Sequence, residues 1–511
     1  MTEARGLAFS GVCPATEANG PRQNLRSLVQ CRRSRPGWDL RYCWGMILPD
    51  PDQAAGAVLD LDLIRKYSIP GPRYTSYPPA TRFTDKLAEV GIDEAIAADN
   101  LAGGPLSLYF HLPFCESRCW FCGCTTVITL NHSQGMAYVE ALGREVARMA
   151  PLLNSQRKAV QLHFGGGSPT FLRPDEIRRL GEIIHKYFKF SPDIEASVEV
   201  DPRRLTREHL VALREIGFNR ASMGVQDFNP KVQEAIHRIQ PREMTQQAMD
   251  WMRELGYNSI NLDLIYGLPL QTPESFNETL DIVLTMKPDR LAVFSYAHVP
   301  WIKPSQKILE NKILPTPESK LEVLKLVIER LTADDQYVYI GMDHFAKPND
   351  ELAVAQREKK LQRNFQGYST RAGSDIYAFG MSGVSQVPDA YWQNEKELPK
   401  WQTAVDAGNV PLHKAYFVSD EDKIRRETIM RTMCDLSLDF GVMSQKLGIN
   451  FEQHFAKELA TLAPFEADGL VKRRANGLEV TDAGRLFIRN IAMCFDNTLS
   501  PAGERRHSKT I

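Results

Sequence analysis

A chain of 511 residues is too long for one compact domain and implies about two or three. Its residues are 43% hydrophobic and 24% charged, ordinary for globular proteins, and 62 basic against 63 acidic residues leave a net charge of −1. That balance argues against a polycationic nucleic-acid binder, and no apolar run reaches the roughly 18 residues of a membrane span.

Residues 1–45 stand apart, with seven arginines, no lysine and three acids. They lack the continuous apolar core of about 7–15 residues that a secretory signal needs. The segment reads as a disordered extension, with Met46 as the true start, or alternatively as an organelle transit peptide. Residues 46–104 read as an N-terminal helix, near 59–67, followed by an arm. The arm contains Gly71-Pro72-Arg73-Tyr74-Thr75-Ser76-Tyr77-Pro78, whose glycine and prolines forbid regular helix.

Over 105–300 apolar, β-branched runs alternate with amphipathic stretches. The runs, at 106–111, 160–164, 195–200, 220–225, 260–265 and 291–296, predict six buried strands. Helices are expected between them, among others at 138–149, 174–187, 206–216 and 241–255. Six strand-then-helix units imply a parallel sheet covered by helices, either doubly wound or barrel-like. Each strand is followed by a polar, glycine-rich or cysteine-bearing turn, such as Gly165-Gly166-Gly167-Ser168 or Glu199-Val200-Asp201. Chemistry in (β/α) barrels gathers at the C-terminal ends of the strands. The fold expected is therefore α/β and barrel-like, whole or partial, with one shared mouth.

Residues 301–415 read as a barrel extension with substrate-side loops, including a helix near 317–331 and the loop Arg363-Asn364-Phe365-Gln366-Gly367-Tyr368. Residues 416–511 read as a mostly helical, winged-helix-like C-terminal domain ending in a solvated tail at 503–511. Winged helices often bind DNA, but the near-neutral charge argues against nucleic acid as a partner.

Four of the nine cysteines, Cys115, Cys119, Cys122 and Cys124, fall within ten residues. That clustering suits a metal site better than a disulfide framework and points to a reducing, cytoplasmic compartment. Three thiolates on one [4Fe–4S] cube leave an iron with an open position, able to bind a small molecule. A structural zinc would want a second cysteine or histidine pair, which the loop lacks. A ferredoxin-like cluster would take Cys124 as fourth ligand. The C-x-C spacing from Cys122 makes that awkward, so Cys124 reads as a neighbour of the cluster or substrate.

Cys115-x3-Cys119-x2-Cys122 after the first strand resembles the radical S-adenosylmethionine (SAM) superfamily. The longer string from Tyr109 to Cys124, with ordered blocks at 165–170, 199–203, 222–229, 261–269, 341–356, 363–370 and 489–496, resembles its oxygen-independent coproporphyrinogen III oxidases (coproporphyrinogen dehydrogenases). The resemblance implies a partial (β/α)6 TIM-like barrel of the radical SAM type, with Cys115, Cys119 and Cys122 holding a [4Fe–4S] cluster. It implies two SAM molecules. The first would meet Tyr109, Gly166, Glu199 and Val384; the second Phe121, Gly167, Ser168, Gln226, Arg238, Asp263 and Ala297. On the residues alone, the three glycines let backbone approach a ligand closely. Glu199 would accept from ribose hydroxyls or, alternatively, pair with Arg203.

The implied reaction is anaerobic oxidative decarboxylation of two propionates of coproporphyrinogen III to vinyl groups by a 5′-deoxyadenosyl radical, in haem biosynthesis. No catalytic acid or base is required of the protein. Arg73 and His344 are the candidate partners for substrate carboxylates; alternatively either is structural, Arg73 by pairing with a carboxylate of the barrel. The electron donor and acceptor are unidentified, and a monomer is expected. The alternative is a radical-SAM-derived haem chaperone. Those relatives carry His-Asn-x-x-Tyr-Trp where this chain has Arg363 to Tyr368.

Overall fold

The computed structural model describes residues 61–85, 89–499 and 510. The expectations for residues 1–45 and for Met46 lie outside the described residues. The first predicted helix is described as Leu61–Tyr67.

The six predicted strands form, as β1 (Leu106–Leu112), β2 (Lys158–Gly166), β3 (Lys189–Val200), β4 (Arg220–Gln226), β5 (Ser259–Tyr266) and β6 (Arg290–Ser295). Each pairs in parallel with the next. Sequential order without a reversal is the wall of a barrel, whereas a doubly wound sheet needs a switch point. That settles the choice the sequence left open. The sheet runs on at both ends. Asp375–Phe379 pairs in parallel with β1, and antiparallel strands continue beyond it to Leu412–Phe417. At the other end His344–Ala346 runs antiparallel to β6 and to Val338–Gly341. The barrel is thus partial.

The strands alternate, because successive side chains point to opposite faces. Leu108, Phe110, Leu162, Phe164, Val198 and Met223 are buried in the core beneath the helices. Tyr109, His163, Ser197, Glu199, Ser222 and Asp263 face a central lumen. The helices form where capping and spacing direct them. Pro174–Tyr187 opens with Pro at its first position and with the Glu176 carboxylate accepting the Arg173 N–H at 2.8 Å. Its Ile177, Leu180 and Ile184 recur at helical spacing and bury one face against the sheet. Arg207–Ile216 is capped by Thr206 and ends at Gly217, whose φ of 117° a side chain would resist.

A second core joins the arm to the C-terminal domain. Tyr74 and Tyr77 are buried with Ile429, Met433, Phe455 and Phe487. Their hydroxyls donate to Asp496 at 2.9 Å and Asn497 at 2.7 Å. The arm is therefore ordered by what it lies on. The domain combines helices such as Asp420–Asp435 with a three-stranded antiparallel sheet of Ser437–Asp439, Gly477–Val480 and Val471–Arg474. One expectation needs correcting. Within the tail expected to be solvated, Thr510 is 8% exposed. Its N–H donates to the Ile69 carbonyl at 2.7 Å and its hydroxyl to the Tyr67 carbonyl at 2.9 Å. Its β-branched side chain seats in the arm's own backbone, which tail composition could not reveal.

Candidate active site

β1 delivers the chain to Pro113 and into the cysteine loop, which closes on itself. The Val127 N–H donates to the Pro113 carbonyl at 2.8 Å, and the Thr129 N–H to the Cys115 carbonyl at 3.0 Å. Cys115, Cys119, Cys122 and Cys124 consequently border one cavity of about 170 Å³ at the barrel mouth. Among the described residues, no three His, Cys, Asp or Glu side chains converge on a point that would hold a single metal ion. Soft thiols ringing a volume are the donor set for an iron–sulfur cluster.

The electrostatics favour a thiolate at Cys122, and two guanidinium groups reach Cys119. The guanidinium groups of Arg203 and Arg238 approach Cys119 Sγ at 3.4 and 3.6 Å. Both also hold Asp201, at 2.6 and 3.0 Å. A hydrogen bond from the Cys124 thiol lowers Cys122 to about 6 against the opposing effect of burial. Cys115 is pushed up to about 12 by burial and by the neighbouring Cys122 and Cys119. Crowded thiolates repel one another, and a bound metal charge removes that repulsion.

The end of β2 is pressed against this loop. The N–H groups of Gly167 and Ser168 donate to the carbonyls of Leu112 and Phe114, each at 2.8 Å. A Cβ on Gly167 would lie 2.5 Å from the Pro113 carbonyl oxygen, and one on Gly166, at φ 118°, 2.7 Å from the His111 ring. Close packing of strand end on cluster loop therefore explains much of the triple glycine.

Glu199, at the end of β3, accepts the Gly166 N–H at 3.1 Å and lies 3.4 Å from His163 Nε2. Burial raises its pKa, but His163 and the Gly166 N–H outweigh that and hold it below the usual carboxylate value. The alternative pairing with Arg203 is not made. Arg203 turns to Asp201, two residues before it in the same turn. Asp263 accepts from Asn261 at 2.7 Å and Ser222 at 3.2 Å, and burial together with the charge of Glu199 pushes it up to about 7.

Of the residues predicted to contact SAM, Phe121, Gly166, Gly167, Glu199, Gln226, Arg238 and Asp263 gather around the cysteine cavity. Tyr109 and Val384 face the lumen, about 460 Å³, which shares Glu199, Ser222 and Asp263 with that cavity. Ser168 borders a separate cleft beside Cys115 and Asp201. Ala297 borders another, beyond the ends of β5 and β6.

Residues 109–283 match the radical SAM superfamily and residues 418–487 match the HemN C-terminal domain. An oxygen-independent coproporphyrinogen III oxidase of Escherichia coli is 46% identical over 440 residues, covering 86% of this chain and 95% of the relative. The Helicobacter pylori protein of the same description is 44% identical over 456 residues, covering 89% and 99%. The solved structure of an E. coli coproporphyrinogen III oxidase, described as a radical SAM enzyme, superposes with a TM-score of 0.82 at 44% identity, covering 86% of this chain and 99% of that one. The chain belongs to the oxygen-independent coproporphyrinogen III oxidase family.

Within this radical SAM oxidase family site, three supporting residues escaped the sequence reading. His163 orients Glu199 and hydrogen-bonds Ser197. It shares inward parity with Gln161 on β2, a signal that strand alternation carries. Asp201, two residues past Glu199 and on the same face, anchors both arginines at Cys119. Gln306 donates to the carbonyls of Phe121 at 2.9 Å and Ala297 at 3.2 Å, and nothing local foretells it.

The two substrate candidates border different cavities. Arg73 pairs with Asp343 and borders the cavity beyond β5 and β6. His344 faces the lumen, where burial lowers it to about 3 and leaves the ring neutral. No helix among the described residues is long and apolar enough to cross a membrane.

Proposed function

We propose that this chain oxidatively decarboxylates two propionates of coproporphyrinogen III to vinyl groups, giving protoporphyrinogen IX for haem biosynthesis. The observation that carries the reading is the ring of thiols at the barrel mouth, open to Glu199 and the β2 glycines, in a chain colinear with named oxidases. Those names support the oxidase over haem delivery.

Cys115, Cys119 and Cys122 would hold a [4Fe–4S] cluster, leaving one iron for the amino and carboxylate groups of SAM. When bound, such a cluster would supply the electron for reductive cleavage of SAM to methionine and a 5′-deoxyadenosyl radical able to remove a hydrogen from a propionate β-carbon, after which loss of CO₂ and of one electron to a separate acceptor would leave the vinyl group. The protein's part is to hold, orient and shield. Arg203 and Arg238 hydrogen-bond Cys119 Sγ and orient it. Glu199 is positioned to accept ribose hydroxyls, and the lumen carboxylates favour a cationic sulfonium. Phe121 and Val384 present apolar surface that excludes water from a radical.

A pair of SAM molecules is part of the proposal. Tyr109, Gly166, Glu199 and Val384 would serve the first, and Phe121, Gly167, Ser168, Gln226, Arg238, Asp263 and Ala297 the second. The gathering of seven of these residues at the cysteine cavity supports it. The six cysteines among the described residues are all unpaired, which supports a reducing cytoplasm. We take the working unit to be a monomer served by separate electron donors and acceptors. Anaerobically reconstituted protein, given coproporphyrinogen III, SAM and a reductant, should form protoporphyrinogen IX. An intact cluster that cleaves SAM without forming that product would contradict the assignment.

A further inference from the structure

We propose that the segment after β6, from Trp301 to Ile313, docks this protein on an anionic lipid surface. The inference goes beyond the oxidase reading and does not depend on it.

The segment is clamped on one side and bare on the other. Its short 3₁₀ helix, Pro304–Asn311, buries Gln306 and Leu309. The Gln306 side chain accepts the Val299 N–H at 2.6 Å and donates to the carbonyls of Phe121 and Ala297. Leu309 packs with Val232, Ile236 and Leu268. Trp301, Ile302, Ile308 and Ile313 are instead exposed, Trp301 by 66% and Ile313 by 76%. Leu270 joins them, also exposed, its N–H donating to the Ile313 carbonyl at 2.9 Å. These five are nearly half of the eleven large apolar side chains exposed among the described residues. Single exposed apolar residues are ordinary, but a group gathered on one anchored segment marks a contact surface.

Lysines decide what that surface touches. Lys303, Lys307 and Lys312 lie among the apolar residues. Lys307 and Lys312 are exposed, and Lys303 reaches the Cys124 carbonyl at 2.9 Å. Lys396 and Lys414 extend the set. Burial lowers Lys396, and the charges of Lys414 and Lys303 lower it further, so these three stand near one another. None of the five lysines makes an ion pair among the described residues. The acids beside them, Glu310 and Glu395, face His298 and His413 at 3.6 and 3.4 Å. The cores of protein–protein interfaces are depleted of lysine, which argues against a protein partner here. A bilayer surface accepts the mixture. The indole suits the boundary between headgroups and acyl chains, the isoleucines enter it, and lysine stems lie on apolar surface while their ammonium groups reach phosphate.

On the oxidase reading the docking gains a use. Trp301 also borders the cavity of about 570 Å³ beyond the ends of β5 and β6. Turnover exchanges two carboxylates for two vinyl groups, so the product is less polar than the substrate. A lip seated on lipid would open that cavity beside the phase the product prefers.

The test is flotation of full-length reconstituted protein with vesicles of phosphatidylglycerol and phosphatidylcholine in equal parts, beside vesicles of phosphatidylcholine alone. The unaltered protein should float with the anionic vesicles and much less with the neutral ones. Trp301→Ser and Ile313→Ser should each weaken binding about tenfold. Lys307→Gln and Lys312→Gln combined should weaken it about thirtyfold, at about fivefold for each lysine beside an anionic surface. Iron content and SAM cleavage without vesicles should be unchanged in every variant. Failure of the unaltered protein to float with the anionic vesicles, or binding undiminished in the apolar and the lysine variants, would overturn the docking surface and leave the oxidase reading standing. A dimer of the unaltered protein that Trp301→Ser dissociates would overturn it in favour of a second copy of this chain.

Discussion

Glu199 and Gly166 end adjacent strands, and the carboxylate of one accepts the backbone N–H of the other at 3.1 Å. The bond fixes the floor of the cysteine cavity and aims the second carboxylate oxygen toward His163. Glu199→Gln keeps the shape and removes the charge. SAM affinity should fall about tenfold with cluster absorbance retained, as measured by equilibrium binding. Because Glu199 sits below the usual carboxylate value, it stays ionised at neutral pH. Its contribution is present above that range and is lost only as pH falls through it, so the affinity difference between the unaltered protein and Glu199→Gln should be constant between about pH 6 and 8.

Gly167 meets backbone, not a movable side chain, where its Cβ would stand. Gly167→Ala must push the Pro113–Phe114 segment away from β2 or break the Gly167 N–H bond to Leu112. The variant should fold, because the strand cores are untouched, yet lose most SAM binding and hold iron less firmly. Iron content and SAM binding measured together check this; wild-type values for both would contradict it.

The four clustered cysteines should separate into two classes. Replacing Cys115, Cys119 or Cys122 with Ser should abolish the brown Fe–S absorbance of anaerobically reconstituted protein. Cys124→Ser should keep it. Cys124 touches Cys122 through its backbone N–H at 3.4 Å and through its thiol, so it adjusts a neighbouring sulfur without being one of the three.

The parts of this site that the sequence made legible are those a local pattern determines. β1 to β6 are readable because β-branched runs ended by glycine or polar turns leave little alternative, whereas strand–helix alternation is shared by barrels and doubly wound sheets and leaves their order to the pairing. Cys115, Cys119 and Cys122 are readable because their spacing alone brings them onto one loop. Contacts made across the chain were not legible. Asp375–Phe379 looks like any short strand, and its parallel place beside β1 depends on Arg157 and Asp99, far earlier in the chain. Thr510 seals the arm from a tail whose composition suggests solvent. The Glu199–Arg203 alternative failed for a local reason, since Asp201 stands between them with a shorter reach to the guanidinium.

That buried junction yields a pH prediction. Arg157 donates to Asp99 at 2.6 Å and Asp375 at 2.5 Å, with Tyr377 also on Asp99 at 2.6 Å. Two carboxylates share one guanidinium, so burial and the nearness of Asp99 push Asp375 up to about 8. An acid raised on folding contributes stability at low pH that is lost as pH rises, here between the ordinary carboxylate range and about 8. Asp375→Asn mimics the protonated form and should flatten this part of the melting-temperature profile. Arg157→Met should destabilise by about 3–5 kcal/mol at neutral pH, because it leaves buried Asp99 and Asp375 without their guanidinium.

The most direct measurement uses coproporphyrinogen III carrying deuterium at the propionate β-carbons. Incubated anaerobically with reconstituted protein, SAM and a reductant, it should pass deuterium into 5′-deoxyadenosine, about two molecules formed per protoporphyrinogen IX by the logic of one radical per propionate. Product formed with no label in deoxyadenosine, or without deoxyadenosine, would contradict a radical drawn from SAM at the cysteine loop.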